Sequence, residues 1–297
     1  MNRLLVTGAS GFLGWNICRL AASSWTVLGV CFSHEVRIPG VGMLRADLTD
    51  FRELERVFKE ARPDAVIHAA ALSNPSTCQS SPARSREINV DASINIAGLC
   101  ADLQVPCVFT SSDLVFDGLD PPYNEEDPVS PISVYGEHKV MAEEGMMDRY
   151  PQTIICRMPL MFGDAGPAAE SFIQPMLKSM RSGGELKLFT DEFRTPISAR
   201  VAARGLFLAL SRAAGILHLG GGERISRYDF GVLMMKCFGL SESRLVPCRQ
   251  RDVATKAPRP PDVSLDSGRA MKMGFEPSTL IEEMKHLIGT VEASGGL

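Results

Sequence analysis

Through the first half of the chain, short apolar runs alternate with longer stretches whose apolar positions recur every three or four residues. "LLVTG" (4–8), "TVLGVCF" (26–32), "DAVIHAAA" (64–71), "PCVFTSS" (106–112) and "TIICRMP" (153–159) read as strands. None shows the in–out alternation of a sheet with one wet face, so both faces of each run are expected to be buried. Between them lie "GFLGWNICRLAAS", "DFRELERVFKEA" (50–61), "INVDASINIAGLCADL" (88–103) and the stretch following Tyr135, all of helical period. Asp50 is the expected N-cap of the second. Strand–helix alternation with continuous runs predicts an α/β fold, a doubly wound parallel sheet covered by helices on both faces.

The second half is less regular. Helices are expected at 171–184, 200–213 and 226–239, with a strand and loop over 185–198. "GILHLGG" (215–221) is a late strand expected to rejoin the main sheet, and "KAPRPPDVSLD" (256–266) a proline-stiffened loop. The expected organisation is a nucleotide-binding domain over 1–165, with 200–221 returning to its sheet, and a smaller substrate-binding lobe over most of 166–297.

Composition adds limits. A chain of 297 residues, 45% hydrophobic and 22% charged, with mean hydropathy +0.03, is that of a soluble globular protein large enough for one domain and a lobe. A net charge of -4 offers no electrostatic case for nucleic acid or an anionic membrane. The 8 cysteines are scattered. Cys18, Cys31, Cys100, Cys107 and Cys156 sit among apolar residues, as core side chains would. No Cys or His stands at metal-ligand spacing, so no metal is expected. No apolar run reaches membrane-spanning length, and the first residues enter a strand pattern with no signal peptide ahead of it. A reducing cytoplasm is the expected compartment.

The candidate chemistry begins in "VTGASGFLG", between the first strand and the first helix. Gly8, Gly11 and Gly14 suit a tight turn, close approach of a pyrophosphate, and close helix–strand packing. The first turn of the helix, with Ser10, Phe12 and Leu13, is then the expected phosphate cradle. An NAD site commonly carries an acid roughly 20 residues further on. Here that region reads "FSHEVR", and Ser33, His34 and Arg37 suit a 2′-phosphate, with Glu35 opposing. NADP(H) is therefore expected over NAD(H), which stays possible. Asp47 and Leu48, after a short third segment, are candidates for the adenine, although Asp47 also reads as a helix-capping carboxylate. Ala69, Ala70 and Ala71, ending their strand, complete the expected cofactor site.

"SVYGEHKVMAEE" (133–144) places Tyr135 and Lys139 one helical turn apart. The pair is either a half-buried ring beside a solvated ammonium, or a phenol whose pKa, ordinarily about 10, is lowered by the neighbouring charge so that it can act as an acid.

"TGASGFLG", "ADL", "HAAA", "TSSDLVFDG", "YGEHK" and "RMPLMFG" follow in that order, and with them the chain resembles the extended short-chain dehydrogenase/reductase family over nearly its whole length. "SSDLVFDG" (111–118), "FRTPIS" (193–198) and "RPPDVSLD" (259–266) resemble its dTDP-4-dehydrorhamnose reductases and their relative, the regulatory β subunit of methionine adenosyltransferase. The resemblance implies an NADP(H)-dependent reduction of a keto group, most naturally on a nucleotide-activated deoxysugar. It makes Tyr135 the acid that protonates the carbonyl oxygen, Lys139 its tuner and a ligand of the nicotinamide ribose, and Ser112 the group polarising the carbonyl, with Ser111 a competitor. Both Tyr135 and Lys139 thus count as cofactor contacts too. Asn89 matches a proton-relay position. Dehydratase relatives carry Thr-Asp-Glu where this chain has Ser112-Asp113-Leu114, so dehydration is not expected.

Ser73, Asn74, Ser112, Asp113, Phe116, Arg194 and Arg259 are the expected substrate contacts, the arginines pairing with a diphosphate. His68 reads as structural, and Met146, Met147, Met234 and Met235 as packing. A homodimer through helices 88–103 and 136–149 is compatible with the resemblance. Two alternatives stand: a cofactor-loaded regulatory subunit without turnover, and a reductase of an unrelated small carbonyl compound.

Overall fold

The continuous apolar runs form a central sheet. The structure, a computed structural model, describes residues 2–240 and 245–293. Met1, 241–244 and 294–297, which the two expected regions include, lie outside the described residues. The strands are β1 Arg3–Thr7, β2 Thr26–Cys31, β3 Val41–Arg45, β4 Ala65–His68, β5 Cys107–Ser112 and β6 Ile154–Met158, then β7 Met161–Phe162, β8 Leu186–Phe189, β9 Phe193–Arg194, β10 Ile197–Ser198, β11 Ile216–His218, β12 Ile225–Ser226 and β13 Leu245–Cys248. Seven of them make one parallel sheet in the order β11-β6-β5-β4-β1-β2-β3. β3 was anticipated only as a short segment. It lies at the sheet edge and is half exposed, unlike the buried inner strands.

The helices are α1 Phe12–Ala21, α2 Phe51–Ala61, α3 Pro75–Ser80, α4 Pro82–Arg86, α5 Ala92–Leu103, α6 Val134–Arg149, α7 Ile173–Arg181, α8 Ala199–Arg212, α9 Arg227–Phe238, α10 Gly268–Lys272 and α11 Leu280–Ala293. Successive strand residues point to opposite faces. Leu4 and Val6 therefore join a core with α1 and α8, whereas Leu5 joins one with α2, α5 and α6. Asp50 caps α2, its Oδ1 accepting from Arg52 N at 2.8 Å. The helix expected over 88–103 begins as a π-turn, Glu87–Asp91, and continues as α5.

A separate apolar cluster holds the lobe. Phe162, Ile173, Met176 and Leu177 pack there with Phe230, Met234, Met235 and Met284. The two-stranded pairs β8–β13 and β9–β12 frame it beside the sheet. Among the described residues, no helix is long and apolar enough to cross a membrane.

Candidate active site

The sheet order turns at β1, with β2 on one side and β4 on the other. The crossovers on the two sides leave in opposite directions, which opens a crevice at the carboxyl ends of the strands. A cleft of about 440 Å³ occupies it, lined by residues that directly follow β1, β2, β3 and β4. All the expected cofactor residues line this cleft except Arg37. Arg37 does not line it and is exposed beyond the end of β2, as Ser33 and His34 also are. Arg84, just before the π-turn, is the guanidinium that lines the cleft, near His34 and Asp47.

The floor of the cleft fits a dinucleotide. Gly8 has φ 71°, and a Cβ there would stand 2.7 Å from Ala70 Cα. A Cβ on Gly14 would overlap the Gly8 carbonyl oxygen. Glycine at 8 lets the turn after β1 pass the segment after β4, and glycine at 14 lets α1 close on that turn. α2, α6, α8 and α9 each begin with a side chain capping their first N–H groups, but α1 begins at Gly11 with no side-chain cap and no acid in its first turn. Its free N–H groups and the positive end of its dipole suit a pyrophosphate.

The opposite wall is pinned. Thr7 Oγ1 accepts from the N–H groups of Ala69 and Ala70, both at 3.2 Å, and bonds His68 Nδ1 at 2.6 Å. Burial, and then the charge of Lys139, pull His68 down to about 3, so it serves as a neutral brace. Asn89 Oδ1 accepts from Leu72 N at 2.8 Å, and its Nδ2 donates to Leu72 O at 3.1 Å. Its amide holds the backbone that leads to Ser73 and also donates to Ser85 Oγ at 3.2 Å.

The first turn of α6 delivers Tyr135. Ser133 Oγ caps it, accepting from Gly136 N at 3.2 Å. A Cβ at Gly136 would overlap the Leu114 carbonyl oxygen. A glycine in a first helical turn has no reason in helix propensity. It lets α6 press against the end of β5, which sets Tyr135 beside Ser112. This was the overlooked signal in "YGEHK".

Ser111 and Ser112 face opposite ways. The Ser111 hydroxyl is hydrogen-bonded to Glu143, which also takes Arg157 Nη2 at 2.8 Å. Ser112 Oγ accepts from Leu114 N at 3.2 Å, and Ser112 lines the second cleft described below. Lys139 is fully buried, with Nζ donating to Thr110 O at 2.8 Å and standing 4.4 Å from the Phe109 ring centre and 5.9 Å from that of Tyr135. Burial pulls Lys139 down to about 8 against the pull of Glu143.

The expected lowering of the Tyr135 phenol is corrected. Burial raises it above its ordinary value, and Asp113 and Cys78 raise it further, against the Ser112 hydroxyl. The ammonium is held on a carbonyl oxygen, so desolvation of the phenolate wins. The phenol keeps its proton at neutral pH.

A second cleft, of about 420 Å³, meets the first at Ser73, Ser111, Tyr135, Met158 and Met161. Ser73, Asn74, Ser112, Asp113, Arg194 and Arg259 line it; Phe116 does not. Phe116 is fully buried and stacked on Tyr123 at 4.1 Å in a small cluster with Val115 and Val263, and its assignment as a substrate contact is corrected. At a strand end, sequence proximity to Ser112 does not fix which way a ring turns.

Arg194 and Arg259 belong to a larger charged cluster that includes Glu192 and Arg227. Buried Glu192 accepts from Arg259 Nε at 2.6 Å and lies 3.7 Å from Arg194 Nη2 and 3.8 Å from Arg227 Nε. Burial raises Glu192, but these guanidiniums outweigh it and hold the carboxyl below its usual range. Arg227 sits 4.2 Å from the Phe172 ring centre, and its buried Nη1 has no hydrogen-bond partner among the described residues. Leu114, Met158, Pro159, Leu160 and Met161 give the same cleft an apolar side.

A family model described as the RmlD substrate binding domain matches residues 1–292. The chain belongs to that family. It is of the extended short-chain dehydrogenase/reductase type. This RmlD-family chain is 30% identical over 281 residues to methionine adenosyltransferase 2 subunit beta of Xenopus laevis, covering 92% of this chain and 83% of that one. It is 29% identical over 288 residues to the probable low-salt glycan biosynthesis reductase Agl14 of Haloferax volcanii, covering 95% and 96%. A structure of a hypothetical dTDP-4-dehydrorhamnose reductase from Sulfolobus tokodaii superposes with TM-score 0.84 at 32% identity, covering 95% of this chain and 98% of that one.

Proposed function

We propose that the protein is an NADPH-dependent reductase of a keto group on a nucleotide-activated deoxysugar. The observation carrying this reading is the guanidinium cluster. Arg194, Arg227 and Arg259 face two carboxylates, the shared Glu192 and, beside Arg194, Asp113, and one buried nitrogen of Arg227 has no hydrogen-bond partner among the described residues. An unsatisfied buried donor costs about 1–3 kcal/mol, which a diphosphate oxygen in this cleft removes. The apolar side suits a deoxygenated sugar carbon. In this reading 1–165 with 200–221 hold the cofactor, and the lobe within 166–297 supplies the arginines.

The cofactor, when bound, supplies the hydride. Tyr135 gives its proton to the carbonyl oxygen, Ser112 hydrogen-bonds that oxygen, and Lys139 holds the ribose hydroxyls. Two hydroxyls and a cation around a developing alkoxide stabilise it without reorganisation.

Oxidation of NADPH with nucleotide-linked 4-keto-6-deoxysugars, and none with the free keto sugars, is the expected result. Absence of oxidation with every nucleotide-linked keto sugar overturns the proposal. Arg227→Ala and Arg259→Ala should each raise KM about tenfold or more while leaving NADPH affinity within about twofold. Unchanged KM in both variants counts against the diphosphate site.

For the cofactor, the position of Ser33, His34 and Arg84 along the cleft, with Glu35 outside its lining, favours NADPH. Arg84 also reaches Thr49 Oγ1 at 3.4 Å and Glu87 at 2.9 Å. Arg84→Ala should narrow the preference for NADPH over NADH, and the exposed Arg37→Ala should leave it unchanged. Calorimetric titration of both cofactors checks this, and equal affinities in the wild type overturn it.

The likeness to the Xenopus laevis subunit favours a second reading, a cofactor-binding regulatory subunit. It predicts tight NADPH binding with no oxidation by any keto sugar.

A further inference from the structure

Asp113 stands between the hydroxyl expected to act on the substrate and the cluster expected to bind its phosphates. Ser112 Oγ donates to Asp113 Oδ1 at 3.1 Å while accepting from Leu114 N at 3.2 Å. A hydroxyl has a single proton. While Asp113 is ionised, that proton points at the carboxylate, and Ser112 offers a substrate carbonyl only lone pairs.

The other carboxylate oxygen, Oδ2, is buried and has no hydrogen-bond partner among the described residues. Arg194 Nε lies 3.6 Å away, close enough for attraction. The outer nitrogens of Arg194 are turned elsewhere, Nη1 to Phe193 O at 2.6 Å and Nη2 to Pro260 O at 3.3 Å. The titratable groups facing Asp113 are Arg194 beyond the cleft, Glu192 beside that arginine, and the Tyr135 phenol from α6.

We infer that a phosphate-bearing substrate seated on the arginine cluster drives a proton from solvent onto Asp113, and that this frees the Ser112 hydroxyl for the substrate carbonyl. This rests on the diphosphate reading above. An anion on Arg194, Arg227 and Arg259 offsets the positive field that favours the Asp113 carboxylate, and it adds a like charge nearby. Both changes favour the neutral carboxyl. Burial already lifts Asp113 to about 6 against the attraction of Arg194, so a modest further push crosses neutral pH.

The protons balance. One comes from solvent to Asp113, the neutral carboxyl donates it to Ser112 Oγ, and the serine's own proton turns to the carbonyl. Leu114 N and the Asp113 hydroxyl then occupy the two lone pairs of Oγ. The site is completed only by a substrate carrying the anionic handle, which makes Asp113 a positioning residue for selectivity.

Calorimetry at pH 7 in buffers of different ionisation enthalpy tests this. The protein is saturated with NADP+ and titrated with dTDP-glucose and UDP-glucose, whose phosphates do not titrate near neutrality. Wild type should take up about half a proton or more per ligand bound. Asp113→Asn should bind the same ligand with the uptake lost. Difference infrared spectroscopy on the wild type needs no variant, and a protonated-carboxyl band must appear on binding. Binding without proton uptake, or uptake unchanged in Asp113→Asn, overturns the coupling and leaves the diphosphate site standing. Failure of both sugar nucleotides to bind removes the diphosphate site and the coupling with it.

Discussion

Tyr135→Phe should lower single-turnover NADPH oxidation by about 10²–10⁴-fold, the usual loss when a general acid is removed. The ring keeps its place, because Ser133 still caps the turn and Gly136 still lets α6 close on Leu114. Fold and cofactor affinity should stay near wild type, since Gly8, Gly14 and Lys139 are untouched. Lys139→Met should do worse. It removes the ammonium held at 2.8 Å by the Thr110 carbonyl and the cation proposed to hold the ribose, so cofactor affinity falls together with rate. A helical packing pair predicts small stability changes and no change in rate. Rapid-mixing absorbance with a nucleotide keto sugar, beside separate NADPH titrations, decides between them. A near-wild-type rate in Tyr135→Phe removes the acid role.

Glu143→Gln should destabilise the fold by about 3–5 kcal/mol, the cost of stranding a buried charge. Arg157 and Glu143 are both about 5% exposed or less and joined at 2.8 Å, with Arg157 Nε donating to both carboxylate oxygens. The amide offers Arg157 no charge, and the nearest titratable group beyond it, His218, is kept neutral by burial and by Arg157 itself, which bring it to about 4. Ser111 on β5 loses its carboxylate acceptor as well. Denaturant unfolding measures the loss. A change within about 0.5 kcal/mol contradicts it. The double variant Glu143→Met with Arg157→Met should recover much of the stability, since removing both charges removes the desolvation cost.

Neither partner of that pair was singled out in the sequence. Glu143 lies in a polar-looking helical stretch, "MAEEGMMDR", and Arg157 in the apolar run "TIICRMP". Each reads as an isolated charge, and their meeting depends on α6 packing across β5 and β6. The same holds for Glu192 and Arg227, which are 35 positions apart in sequence (227 minus 192) and are brought together by the antiparallel pairing of β9 with β12.

The sequence by itself determined the parallel sheet, its buried faces and the glycine turn that floors the cleft. Those rest on local properties: continuous apolar runs, helical period, and glycines at the one turn where β1 meets α1. It also placed Tyr135 and Lys139 on one turn of one helix, because four residues is a fixed distance along α6. Only the tertiary structure decided which way each side chain is spent. It bonded the Ser111 hydroxyl to Glu143 and the Ser112 hydroxyl to Asp113, buried Phe116 against Tyr123, left Arg37 outside the lining of the first cleft and put Arg84 on its wall. It also raised the phenol that a charge one turn away was expected to lower. Direction of a side chain, burial and the balance of desolvation against charge are set by contacts between distant segments, and spacing along a chain carries no record of them.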